Sequence, residues 1–174
     1  KFSEKYKKGI VMKKYLPRYT DQELKESLEY MGAVLITGPK WCGKTTTAKQ
    51  QCNDLKELQH PVYGKSYLKL ADTNPIELLK GEKPMLIDEW QMAPELWDTV
   101  RYLEDESDED GLYNLTDSAI VDESKIMHSG AGRIKRIVMR PMSLYESGES
   151  AGSISLIDLF NNEDLNIDGI TSDL

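Results

Sequence analysis

From Gly38 to Thr45 the chain reads Gly-Pro-Lys-Trp-Cys-Gly-Lys-Thr, a G-x-x-x-x-G-K-[ST] arrangement whose residue types suit a polyphosphate. Gly38 and Gly43 permit backbone angles and a close approach that a Cβ would block, so successive N–H groups can face an anion at the positive end of a helix. Lys44 supplies a mobile positive charge for β and γ phosphates, and Thr45 a hydroxyl for Mg²⁺. The candidate phosphate-binding residues are Gly38, Pro39, Lys40, Trp41, Cys42, Gly43, Lys44, Thr45 and Thr46.

A second constellation lies in Met85-Leu86-Ile87-Asp88-Glu89. Asp88, an acidic residue ending a strand beside such a loop, can hold the metal's water shell. Glu89 can orient and deprotonate a water for attack on a γ phosphate, which points to hydrolysis. Asn114, Thr116 and Ser118, near the end of another strand, are candidates to sense the γ phosphate or that water. Alternation sends Asn114 and Thr116 to one face and does not rank them. Gln91 suits a helix-entry contact better than a water-positioning role, and Trp90 and Trp97 suit packing. Arg133, Arg136 and Arg140 can neutralise charge as the β–γ bond breaks. Arg140 would act from the carboxyl end of its strand, and Arg133 from a glycine-flanked segment able to reach a neighbouring subunit. His128 reads as a loop histidine.

These residues need strands to present them. "AVLIT" before the loop is continuously apolar, as in a strand buried on both faces of a parallel sheet. Upstream, "TDQELKESLEYMG" carries a capping box at Thr20 and Glu23, with Leu24, Leu28 and Met31 on one face and Gly32 as the stop. A helix is expected after the loop, with Ala48, Cys52, Leu55 and Leu58 as its stripe, which makes Cys52 a core residue. "KSYLKLAD" is the expected second strand. "NPIELLKG" is a brief helix capped by Asn74, and "PMLIDE" a third strand. "APELWDTVRYL" gives a helix with Leu96, Trp97, Val100 and Leu103 inward. "GLYNLTDS" and "IKRIVMRP" complete five strands. Alternating strands and helices predict an α/β fold with a parallel sheet between helical layers.

The 174 residues suffice for one domain with a real core. No apolar run approaches the roughly 20 residues of a membrane-spanning helix, so a soluble, cytoplasmic protein without membrane contact is expected. Cys42 and Cys52 lack zinc-ligand spacing and fit a reducing compartment. The formal charge of −8 disfavours general DNA binding. Lys1, Lys5, Lys7, Lys8, Lys13, Lys14 and Arg18 form a basic arm, and Glu104 to Asp110 an acidic stretch; both read as solvated surface. Three regions are expected: an arm at 1–19, a nucleotide-binding domain at 20–146, and at 147–174 a polar tail or the start of a further domain. The chain opens on Lys1 with no export pattern and reads as part of a longer protein.

With these residues in place, the sequence resembles a prokaryotic family of AAA-like P-loop ATPases. The matching stretches are "YLPR", "GAVLITGPKWCGKTTTAKQ", "LIDEWQMAPELWDTVR" and "HSGAGRIKRIVMRPMSLYESGES". The resemblance implies a three-layer P-loop NTPase fold with a strand inserted between the Walker A and Walker B strands, as in AAA and RecA-like proteins. It also implies ATP as ligand, hydrolysis with Mg²⁺, metal and water roles for Asp88 and Glu89, and a role for Arg133. Members typically continue into a restriction-endonuclease-like domain, so any nucleic-acid contact would fall to that region or to the basic arm. One departure is local: the family's sensor strand usually ends in Thr-Gly-Ser, and here the tripeptide is Thr116-Asp117-Ser118. A carboxylate pointing inward there would weaken binding or catalysis.

The leading expectation is an ATPase acting as motor or switch for an attached domain, a partner or a second copy, with Glu89, Lys44, Arg133 and Thr116 as its catalytic residues and Thr45 and Asp88 at the metal. The alternatives are a nucleotide-binding sensor or scaffold without turnover and, behind it, a small-molecule kinase, for which the chain holds few lid arginines. A GTPase is disfavoured by the missing lysine in "NLTD".

Overall fold

A computed structural model of the chain describes residues 14–117, 132–152 and 156–161. Among these, strands β1 (Ala33–Thr37), β2 (Asp54–Glu57), β3 (Met85–Asp88), β4 (Tyr113–Thr116) and β5 (Ile134–Val138) form one sheet in spatial order β2-β3-β4-β1-β5. Every neighbouring pair is parallel. β4 is therefore inserted between β3 and β1, and the expected α/β arrangement is present.

The apolar run of β1 explains its central place. Ala33 and Leu35 join one core with Ile87, Leu115, Trp90, Leu96, Trp97 and Val100, whereas Val34 and Ile36 join the opposite core with Leu24, Ala48, Leu86, Ile137 and Met139. Helices α3 (Gly64–Thr73), α4 (Pro75–Leu78) and α5 (Glu95–Asp105) supply the first layer, and α1 (Tyr19–Leu28) and α2 (Lys44–Ala48) the second. Two short helices, α6 (Leu144–Ser147) and α7 (Leu156–Asn161), follow the sheet. No helix among the described residues is long and apolar enough to cross a membrane.

Several expectations are corrected. The helix after the glycine loop stops at Ala48, and the second strand is Asp54–Glu57. Cys52, Leu55 and Leu58 lie at a helical spacing of three, but β2 is a half-exposed edge strand whose polar residues give no apolar run. "KSYLKLAD" is helical, burying Ala71 and packing Tyr67, Leu68 and Leu70 against the core. The first helix starts at Tyr19, so Arg18 and not Thr20 is its N-cap, and Asp21 rather than Glu23 accepts the cap's N–H, at 2.8 Å. Asn74 caps α4 as expected, accepting the Glu77 N–H. Cys52 is partly buried and receives a hydrogen bond from Asn114.

The acidic stretch is not wholly solvated either. Glu104 belongs to the last turn of α5 and is only 6% exposed. Among the described residues its carboxylate oxygens have no hydrogen-bond partner, and a Cβ on Gly32 would fall 2.8 Å from its Cγ. Burial pushes this carboxyl up from 4.5 to about 8, with Arg133 partly opposing the rise. The folded state thus holds the Glu104 proton more tightly than the unfolded chain, and stability falls as pH rises from about 4.5 towards about 8. Glu104→Gln is expected to remove that slope, raising the unfolding midpoint at pH 8 by several degrees and barely changing it at pH 5. Urea or thermal unfolding over this range measures it.

Candidate functional site

β1 ends at Thr37, and the chain turns through Gly38 (φ 151°), Trp41 (φ 68°) and Gly43 (φ 104°) before α2 begins at Lys44. Gly38 is required by contact: a Cβ there would lie 2.2 Å from the Met139 carbonyl oxygen. Cys42 is buried beneath the loop with its sulfur 3.7 Å from that same oxygen. Trp41 stands 92% exposed, with the Lys40 ammonium 6.0 Å from its ring, and Thr46 is exposed as well. The Lys44 ammonium crosses the loop to the carbonyls of Gly38 and Pro39 at 2.8 and 2.9 Å.

Parallel pairing sets Asp88 level with Thr116, and Thr116 level with Ile36. Asp88 Oδ1 accepts two hydroxyls, Thr45 Oγ1 at 2.6 Å and Thr116 Oγ1 at 2.7 Å. Thr116 Oγ1 accepts the Glu89 N–H in turn at 3.2 Å. Asn114, two residues deeper on the same face, donates to Cys52 Sγ at 3.0 Å, so Thr116 is the one at the strand tip that meets the acidic pair. Ser118 and His128 lie outside the described residues.

Glu89 is left-handed (φ 58°, ψ 48°), and Gln91 Nε2 donates to its Oε2 at 2.5 Å. Trp90, 1% exposed and 4.8 Å from the Trp97 ring centre, anchors this turn. Truncating a buried tryptophan costs roughly 3–5 kcal/mol, against roughly 1–2 kcal/mol for a left-handed non-glycine residue. The indole's burial therefore suffices to hold Glu89 in that conformation.

A family model for the AAA domain matches residues 31–148. The chain belongs to the AAA domain family. That membership makes it a nucleotide-binding, ATPase-like domain, in agreement with the sheet order and the glycine loop. No curated protein sequence matches the chain.

Within this AAA domain, Asp117 is 4% exposed and lies near Lys44, Glu89 and Arg136. Burial raises its carboxyl above the ordinary value, Glu89 adds to the rise, and Lys44, Trp90 and Arg136 counter it. The Trp90 indole N–H acts on it without meeting strict hydrogen-bond geometry. The carboxylate that departs from the family pattern does sit among the site's charges.

Arg133 is not brought to the loop. It precedes β5 at the amino edge of the sheet, where its guanidinium pairs with Asp105 at 2.6 Å. Ile134 is level with Ala33 and the loop opens at Gly38, so the separation along the strands is roughly 16 Å at 3.3 Å per residue. Arg136 lies 5.8 Å from the Trp97 ring, and the Arg140 carbonyl accepts a hydrogen bond from Arg18.

Two contributors went unread in the sequence. Gln91 lies in the short helical turn that opens after β3, and its place two residues beyond Glu89 also lets it reach back to the carboxylate. Arg18, expected in a solvated arm, is 7% exposed and donates to the Cys42 carbonyl behind the loop. Its position between Pro17 and the first helix was the available signal.

Gly38→Ala is expected to lower stability by more than 2 kcal/mol and to abolish nucleotide binding, since the new Cβ forces β1 from β5 at Met139. Chemical denaturation and a fluorescent-nucleotide titration measure the two effects.

Proposed function

We propose that the domain binds ATP with Mg²⁺ and hydrolyses it, acting as motor or switch for an attached region, a partner or a second copy of itself. The observation that carries this reading is the convergence of the Thr45 and Thr116 hydroxyls on one Asp88 oxygen, with the Glu89 N–H on Thr116. The donor set fits Mg²⁺: Thr45 and Asp88 offer two hard oxygens, as suits an ion that takes its remaining ligands from phosphate and water. When bound, the ion would be held by Thr45 and Asp88 and would neutralise phosphate charge.

In this reading the backbone from Gly38 to Thr46 cradles the phosphates. Lys44 exchanges its carbonyl partners for β and γ oxygens. Glu89, aimed by Gln91, takes a proton from the attacking water as its oxygen bonds to the γ phosphorus and the bond to the β–γ bridging oxygen breaks, leaving ADP and phosphate. Thr116 keeps the Asp88 carboxylate and the Glu89 backbone in register. Arg133, at the far edge of its own sheet, would serve a neighbouring chain's site, and the basic arm or a downstream domain any nucleic acid. We assign 20–146 to the ATPase unit, with 147–174 leading away from it.

Asp117 favours a second reading, a nucleotide-binding module without turnover. An ionised carboxylate beside Lys44 and Glu89 opposes a triphosphate at low local dielectric.

Two variants separate the readings. Glu89→Gln is expected to slow phosphate release at least about a hundredfold while retaining ATP affinity; a wild-type protein that binds ATP tightly and releases no phosphate selects the second. Asp117 ionises as pH rises through its elevated pKa, so ATP affinity is expected to weaken with rising pH, and Asp117→Asn to bind more tightly and lose this dependence. Titration calorimetry at several pH values checks it.

A further inference from the structure

Arg18 makes three side-chain hydrogen bonds behind the loop, though it lies outside the segment that matches the AAA domain. Its Nη1 donates to the Cys42 carbonyl at 2.7 Å, its Nη2 to the Arg140 carbonyl at 2.9 Å and its Nε to Glu146 Oε1 at 3.0 Å. One guanidinium thus joins the loop, the end of β5 and α6. Glu146 is itself fixed: Oε1 accepts the Tyr19 N–H, and Oε2 the Ser143 N–H and hydroxyl. These donors, with Arg18, hold its carboxyl down to about 2 despite the cost of burial.

The side chains of the pair are only 5% and 8% exposed. A buried ion pair is weak evidence for stability, because desolvation cancels most of its attraction. What the guanidinium's planar fork supplies is direction. In a trans peptide the carbonyl and the following N–H point to opposite sides of one plane. Drawing the Cys42 carbonyl back towards Arg18 therefore turns the Gly43 N–H the other way, to the interior of the loop where Lys44 lies. Gly43 follows with φ 104°, a backbone angle that calls for glycine, and a Cβ on it would stand 3.2 Å from Arg18 Nη1, a tight contact. Tyr15 ties the segment down further, donating to Asp21 Oδ1 at 2.5 Å and meeting Thr47 Oγ1 in α2 at 3.1 Å.

We propose that Arg18 is a positioning residue for phosphate binding: it sets the Cys42–Gly43 peptide so that the Gly43 N–H faces the phosphates, and Glu146 makes that setting depend on the segment after β5. The inference rests on the nucleotide reading of the loop and deepens it. It gives the switch a route, since movement of α6 would release Glu146, then Arg18, then the loop.

Arg18→Lys keeps the charge and loses the fork, and Glu146→Gln keeps the shape and loses the charge. Calorimetric titration of wild type and both variants with inorganic pyrophosphate, which presents phosphate alone, is the test. Each variant is expected to bind on the order of tenfold or more weakly, as for one misaligned charge-assisted hydrogen bond. The Gly43 amide resonance should shift on pyrophosphate addition in wild type and much less in Arg18→Lys, and the variants' ATPase KM should rise more than kcat falls. Failure of wild type to bind pyrophosphate or ADP would overturn the nucleotide reading itself. Binding by wild type and folded variants within twofold of one another would overturn the role of Arg18 alone. Loss of folding in both variants would also overturn it, making the pair a support of the fold.

Discussion

A single carboxylate oxygen, Asp88 Oδ1, receives the hydroxyls of Thr45 and Thr116, and the carboxyl edge of the sheet is organised around that meeting. It requires three segments distant in sequence to end side by side. A parallel sheet with β4 between β3 and β1 provides this, because the register that sets Asp88 against Thr116 and Thr116 against Ile36 leaves the glycine loop next in line. The same register delivers Glu89 to the turn just beyond, where Thr116 takes its N–H and Trp90 is buried beneath it.

The charges at this edge are largely withdrawn from water. Lys44, Asp117 and Arg18 are each less than a tenth exposed, so attractions and repulsions among them are stronger than at an open surface. Lys44 has carbonyl partners and Arg18 has three acceptors. Asp117 is the member whose burial works against its charge. The state of this edge therefore depends on what neutralises Asp117, with Lys44 and Arg136 favouring its charge and burial and Glu89 opposing it.

Much of this was legible in the sequence, for physical reasons that differ by element. β1 could be placed because burial on both faces demands an unbroken apolar run, and the loop because few residue types tolerate its backbone. α5 was legible from Leu96, Trp97 and Val100, though its length was not, since Glu104 occupies an inward position that polarity alone assigns to solvent. β2 and α3 were exchanged because Asp54–Glu57 is a polar edge strand and Leu68 and Leu70 alternate across Lys69 as a strand would. At the site, Asp88 and Thr116 were readable, and Asn114 could be separated from Thr116 only by depth. The contacts of Arg18 and Gln91 could not be read because spacing does not encode them, whereas the place of Arg133 before β5 could, from the glycines that precede it.

Phosphate release from ATP by the wild-type chain, followed with Mg²⁺ and with EDTA alongside a direct measurement of ATP binding, is the decisive measurement. Saturable release that requires Mg²⁺ is the predicted result. Absence of ATP binding at millimolar concentration by the folded protein would contradict it.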